Sequence, residues 1–181
     1  MSFKPTKAGD GGFTRFGGDR IAKSSPEIHL VGQFDSLQAN IGELHSMFRE
    51  MRGPWLDEWF RPREYEKIIM IQEVCYDAMV EIYDILSCLH NGEKYQYFDE
   101  LMDATLKSMP FDQHKNFMLP IFDMLSAKIN LVRTKVREVE LLCQDSELDQ
   151  VRAYLNRLSS VFYAALCYYN DNTKMTTIRK N

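Results

Sequence analysis

The residues best suited to chemistry lie in two separated stretches. Near the N-terminus, Lys7-Ala8-Gly9-Asp10-Gly11-Gly12-Phe13-Thr14-Arg15 combines glycines, a hydroxyl and two cations. Glycines let successive backbone N–H groups turn toward one anion, and Lys7 and Arg15 bring positive charge to the same place. The GxxxxGK[ST] spacing of a Walker loop is absent, so the stretch reads either as a phosphate nest of another kind or as a flexible tail. Far along the chain, Arg133, Arg137 and Glu140 follow at steps of four and three, which puts them on one stripe of a helix. Val132 and Val136 immediately precede the two arginines, so the guanidinium groups fall at the edge of an apolar seam. Arginine there suits a carboxylate or phosphate partner; a solvated charged face is the alternative. Asn156, Ser160 and Tyr163 repeat the same spacing beside the next seam, and need hydrogen-bond partners from the core or from a ligand. Asp35 stands inside an earlier apolar stripe, between Phe34 and Leu37, and calls for a cationic partner.

Other chemistries find little support. The four histidines, His29, His45, His90 and His114, form no HxxxH, and no Glu-x-x-His pair of the kind that builds di-iron sites in helical bundles occurs. Cys75, Cys88, Cys143 and Cys167 form no CxxC and read as buried thiols in a reducing compartment. With 22 Lys and Arg against 26 Asp and Glu, the net charge of -4 argues against binding a nucleic-acid backbone. No apolar run approaches the ~20 residues of a membrane helix. The opening Met1-Ser2-Phe3-Lys4-Pro5 has neither an apolar signal region nor an Arg-rich amphipathic stretch, so a cytoplasmic protein is expected.

The elements that must position these residues are helices. Apolar residues make up 45% of the chain, enough to bury a core. Glycine is concentrated in the first eighteen residues, and the remainder is nearly free of helix breakers. Residues 1–26 read as an irregular, basic, glycine-rich leader. From Pro26, Leu30, Phe34, Leu37, Ile41, Leu44 and Met47 trace a first amphipathic helix that ends near Gly53-Pro54. Trp55 and Trp59 are expected to cover one end of a bundle. Ile68, Ile71, Cys75, Ala78, Ile82 and Leu86 mark a second helix over 63–89, stopped by Asn91-Gly92. A shorter helix is expected over 95–108. A fourth, starting near Pro120, carries Leu125, Ile129, Val132, Val136, Val139 and Cys143. A fifth, capped by Ser146, carries Val151, Leu155, Leu158, Phe162 and Leu166 to about Tyr169. The expectation is an all-α, up-and-down five-helix bundle: a leader over 1–26, a single helical domain over 27–175 and a frayed tail over 176–181.

Taken in order, these segments resemble the PduO-type ATP:cob(I)alamin adenosyltransferases. The family's leader, K-[TN]-G-D-x-G-x-T, is matched from Lys7 to Thr14, and its later Gly and Lys-before-Pro by Gly17-Gly18 and Lys23-Ser24-Ser25-Pro26. The opening of its first helix, G-x-x-D-E-L-N-S-x-I-G, corresponds to Gly32 through Gly42. An Ile-Gln pair of the second helix is present as Ile71-Gln72. F-x-L-P followed by R-T-x-x-R-R-x-E-R is matched by Phe117-Met118-Leu119-Pro120 and by Arg133 through Leu141. L-N-R-L-S-D is matched by Leu155 through Ser160.

The resemblance implies a five-helix bundle like the family's, assembled as a homotrimer with an active site at each subunit interface, and cobalamin and ATP as substrates, with Mg²⁺ accompanying the ATP rather than bound by protein ligands. Lys7, Gly9, Asp10, Gly12, Thr14, Arg15 and Lys23 would wrap the triphosphate. Arg137 would face it as charge builds on the leaving group, and Glu140 and Asn156 would hold the nucleoside. Phe117 would lie beneath the corrin, excluding the lower axial ligand; with Arg137 it is the implied catalytic pair. Asp35 and Arg133 would form a salt bridge between subunits. A reductase is a candidate partner; nucleic acid and membrane are not. The chain departs from the family's pattern at Ala8, Ser36, Gln38, Ile121, Phe122, Glu138, Leu141 and Ser160. Those changes keep a second reading open, a catalytically impaired member that binds ATP or corrinoid in regulation or delivery.

Overall fold

The computed structural model of the chain describes residues 10–51, 62–109 and 123–170. Lys7, Gly9, Trp55, Trp59, Phe117, Pro120 and the tail lie outside them. The described elements are a hairpin, β1 Phe13–Phe16 and β2 Asp19–Ala22, and the helices α1 Pro26–Met51, α2 Pro62–Asn91, α3 Asp99–Ser108, α4 Met124–Glu140 and α5 Asp149–Asn170.

The hairpin is a correction, because the leader was expected to be irregular. Two four-residue runs with aromatic or β-branched members flank Gly17-Gly18, and Phe16 pairs with Asp19 across that two-residue turn. Both glycines have positive φ, +59° and +86°, as a type I′ turn demands. The strands are too short to show an alternating pattern, which is why the glycines dominate the sequence reading.

The helical stripes are buried as expected. Phe34, Leu37, Ile41 and Leu44 of α1 are fully inaccessible, and the stripe ends on Phe48, with Met47 only partly buried. Ile71, Cys75 and Ile82 of α2 join them, as do Ile129, Val132, Val136 and Val139 of α4 and Leu155, Leu158 and Phe162 of α5. The helix ends follow local chemistry. Beyond α2, Glu93 N–H donates to Cys88 O at 2.8 Å and Gly92 N–H to Leu89 O, with Gly92 at φ +69°, a Schellman stop. Asp123 caps α4, accepting from Ser126 N at 2.7 Å. Before α5 the cap is Asp145, not Ser146: its carboxylate accepts from Glu147 N at 3.0 Å and opens a 3-10 turn over Ser146–Leu148. The short helix starts at Asp99, four residues later than expected.

Side-chain bonds define the packing. Gln38 Nε2 donates to Met79 O at 3.0 Å, and His45 lies against Gln72, so α1 and α2 are antiparallel. Lys128 Nζ donates to Asn40 Oδ1 and Lys135 Nζ to Gln33 Oε1, so α1 and α4 are antiparallel. Ser126 Oγ donates to Asn170 Oδ1 at 2.6 Å and Arg152 to Cys143 O at 3.4 Å, so α4 and α5 are antiparallel too. The segment holding α3 runs beside α2 and α5, where Arg157 meets Asp99 and Asp103. It returns the chain from one end of the bundle to the other, so α2 and α4 point the same way. One end of the bundle therefore gathers the starts of α1 and α5 and the finishes of α2 and α4.

Two outcomes follow for stability. Ser126→Ala leaves the buried Asn170 oxygen without its donor and should cost about 1–3 kcal/mol in urea unfolding, while Ser160→Ala at an exposed site should cost almost nothing. Burial pushes the Cys143 thiol from 9.0 up to about 11. The folded chain keeps a proton there that the unfolded chain sheds, so this contribution is intact below pH 9 and is lost as pH rises to 11. Unfolding midpoints should drop across that window, and Cys143→Ala should make the drop shallower.

Candidate active site

The α4–α5 register brings the second group of sequence candidates together. Ser126 stands opposite Asn170 and Cys143 opposite Arg152. Stepping inward from both ends puts Arg133 level with Tyr163, and Glu140 level with Asn156. The electrostatics agree: Arg133 and Tyr163 perturb each other's protonation, and burial with Arg137 nearby lowers the Arg133 pKa. Burial is also the main reason the Tyr163 hydroxyl is raised, with Cys167 adding to it.

Glu140 is the unusual member. Its side chain is only 16% exposed, and Oε2 is buried with no hydrogen-bond partner. Arg137 Nη1 is 3.8 Å away, close enough for charge attraction but too far for a hydrogen bond. Arg137 itself is exposed, as is Asn156 one helix over. The Asn156 backbone carbonyl accepts from Ser159 Oγ at 2.8 Å and from Ser160 Oγ at 3.3 Å, and the residue is exposed. An exposed guanidinium, a buried acceptor lacking a donor and an exposed asparagine thus fall at one level of the α4–α5 contact. That set can accept from hydroxyl or amine groups and can neutralise an anion.

The glycine-rich hairpin sits at the same end. Gly17 N donates to the last-turn carbonyl of α2, His90 O, at 2.8 Å, and the Phe16 ring meets His90 edge-on at 5.9 Å. At the open end, Lys23 N donates to Gly12 O at 2.9 Å, with Gly12 at φ +76°. Thr14 and Phe16 are half-buried, whereas Phe13 and Arg15 are exposed, so Thr14 and Arg15 leave the strand on opposite faces. Arg15 pairs directly with Arg20, and the Arg20 guanidinium lies 4.6 Å from the Phe13 ring centroid. Two like charges face to face are unfavourable alone and relaxed by an anion. Arg20 was missed in the sequence; the signal was its place just beyond the Gly-Gly turn, opposite a residue already selected.

Asp35 does not behave as a buried acid. It is exposed on α1, and Arg133 Nε instead donates to Asn130 Oδ1 at 3.0 Å. Within one chain the two are not paired. Nor does any described hydrogen bond or ion pair join the hairpin to Arg133, Arg137, Glu140 or Asn156. Each chain offers two separate sets of candidate groups at one end of its bundle.

Several departures from the family pattern have structural roles. Lys135 Nζ reaches Glu138 at 3.2 Å and Gln33 at 2.8 Å, so the acid at position 138 is matched with a base on its own helix. Gln38 ties α1 to α2. Leu141 is 65% exposed, and nothing described covers it. Among the described residues no group of His, Cys, Asp and Glu is placed to hold a metal ion.

Comparison with known proteins agrees with this layout. The profile of the family described as Cobalamin adenosyltransferase matches residues 5–169. The chain is 26% identical over 166 residues to a corrinoid adenosyltransferase of Citrobacter freundii, covering 88% of this chain and 90% of the relative. It is 27% identical over 169 residues to one from Bacillus subtilis, covering 88% and 82%. Among solved structures it is similar to a phenylalanine-to-alanine variant of the PduO-type ATP:corrinoid adenosyltransferase from Lactobacillus reuteri complexed with cobalamin and ATP. That match has a TM-score of 0.65 at 20% identity, over 96% of this chain and 97% of the other. An arginine-to-lysine variant of the same enzyme complexed with ATP gives 0.62 at 20% identity, over 98% and 100%. A five-helix bundle matched by the family profile from its leader to the end of its last helix, this chain belongs to the cobalamin adenosyltransferase family, a family of transferases.

Proposed function

We propose that the protein is an ATP:corrinoid adenosyltransferase. The cob(I) centre of the corrinoid attacks C5′ of ATP, the C5′–O5′ bond breaks, the cobalt–carbon bond forms, and triphosphate departs with its Mg²⁺. The cobalt supplies the electron pair, so the protein needs no general base. It contributes position, charge and exclusion of water.

The observation that carries this reading is the buried, donor-less Oε2 of Glu140 beside Arg137 and level with Asn156. A buried acceptor without a donor is costly, and a ribose hydroxyl or adenine amine supplies what is missing. Arg137, 51% exposed, is free to meet the triphosphate as negative charge accumulates on it. Lys7, Gly9, Asp10, Gly12, Thr14, Arg15 and Lys23 form the leader's contribution, with Arg20 added from the strand pairing. Because no described bond joins leader and helical groups within one chain, we take the site to be composite. The leader of one subunit closes on α4 and α5 of the next in a homotrimer. Exposed Asp35 and half-buried Arg133 are then the partners of the intersubunit salt bridge. Phe117 serves as the wedge beneath the corrin. A reductase as electron donor, a cytoplasmic setting and no dealings with nucleic acid or membrane complete the proposal; no described helix is long and apolar enough to cross a membrane.

The decisive experiment mixes the purified chain anaerobically with ATP–Mg²⁺ and chemically generated cob(I)alamin and follows the absorbance change of cobalt–carbon bond formation. Saturable product formation is expected. A folded protein that is thermally stabilised by ATP–Mg²⁺ yet makes no product would be a binding protein of regulation or delivery instead. Two variants partition the roles. Arg137→Ala should lower kcat by about 10²–10³-fold, the loss typical of one charge-stabilising donor. Phe117→Ala should depress turnover starting from cob(II)alamin and reductant, with ATP affinity nearly unchanged; equal loss of ATP binding would overturn that division of labour.

A further inference from the structure

On the side of α5 away from the candidate active site, a cavity of about 150 Å³ opens between α2, α3 and α5. Asp77 and Glu81 line it from α2, Tyr97, Phe98 and Met102 from the α3 segment, and Tyr154 from α5. The two faces of α5 are distinct: Tyr154, Leu158 and Val161 turn toward this cavity, whereas Asn156, Ser160 and Tyr163 follow the other stripe.

Three features point to a ligand. Tyr154 is 1% exposed, and its hydroxyl has no hydrogen-bond partner. Aromatic rings surround it: Tyr97 edge-on at 5.6 Å and Tyr95 at 6.2 Å, with the Tyr95 hydroxyl in turn donating to Glu81. The only ionisable side chains of negative sign among the lining residues are Asp77 and Glu81, and no lining residue is cationic. Arg157 on α5 is matched with Asp99 and Asp103. Asp77 is exposed at the rim of the cavity, where partial burial still raises its carboxyl.

We propose that this cavity binds a small organic ammonium of about one ring's bulk. Its apolar body packs among the aromatic rings, its cation faces Asp77 and Glu81, and a polar atom meets the Tyr154 hydroxyl. The size suits such a molecule, since an apolar cavity of about 150 Å³ accepts benzene. Ring faces attract ammonium, and the two carboxylates exclude anions. The proposal is independent of adenosyl transfer and is read without ATP or corrinoid.

The full chain is titrated by calorimetry with benzylammonium, benzyl alcohol and benzoate, one shape in three charge states. Benzylammonium should bind about tenfold or more tightly than the alcohol, and benzoate should not bind. In an Asp77→Asn, Glu81→Gln double variant that preference should vanish with the unfolding midpoint unchanged, because the amide at 81 still accepts from Tyr95. Tyr154→Phe should weaken benzylammonium severalfold. Equal affinity for ammonium and alcohol, an undiminished preference in the double variant, or no binding of any of the three would overturn the proposal.

Discussion

The contact between α4 and α5 is held in register at both ends, by a buried hydroxyl–carboxamide bond at Ser126 and Asn170 and by Arg152 reaching the Cys143 carbonyl. The placement of the candidate site residues on these two helices depends on that register. A shift of one residue on either helix would rotate its neighbours by about 100° and separate Glu140 from Asn156 and Arg133 from Tyr163. The seam between the two helices is therefore a ruler as well as a core. Its apolar members, Val132, Val136, Leu155 and Phe162 among them, supply cohesion without direction. The polar bonds at its ends supply the direction.

The helical part of the fold was open to reading because its signal repeats. Four stripes at three-to-four spacing become four buried faces, and a side chain that must leave water does so wherever the helix goes. The ends were harder. Ser146 and Asp145 are adjacent, both fit a cap, and only the carboxylate's reach to Glu147 N decides between them. The hairpin was hidden for a related reason. Strands of four residues carry no periodicity, so the glycines that make the turn were visible while the pairing that uses them was not.

The site divides along the same line. Arg133, Arg137 and Glu140 could be selected from spacing, because helical spacing is geometry. What Glu140 lacks, a donor for its buried oxygen, depends on the surrounding packing and has no sequence signature. Asp35 shows the converse. Its position within a stripe of apolar letters suggested burial, yet a residue next to Phe34 is turned about 100° away from it and here looks outward. Glu138 departs from the basic pattern of the family motif, and Lys135, three residues away on the same helix, is its partner.

The hairpin is tied to the bundle at its tip, by the Gly17–His90 bond and the Phe16 ring edge-on to His90, and at its exit, where Ser25 leads into α1. Phe16 belongs to the half-buried face of β1, so the ring contact fixes which way the hairpin is turned. One face carries the half-buried Thr14 and Phe16, and the other leaves Phe13 and Arg15 in the open. Mechanically the glycine-rich segment is a bracket clamped at both ends: the face that carries Arg15 stays outward as long as the Phe16 ring keeps its seat.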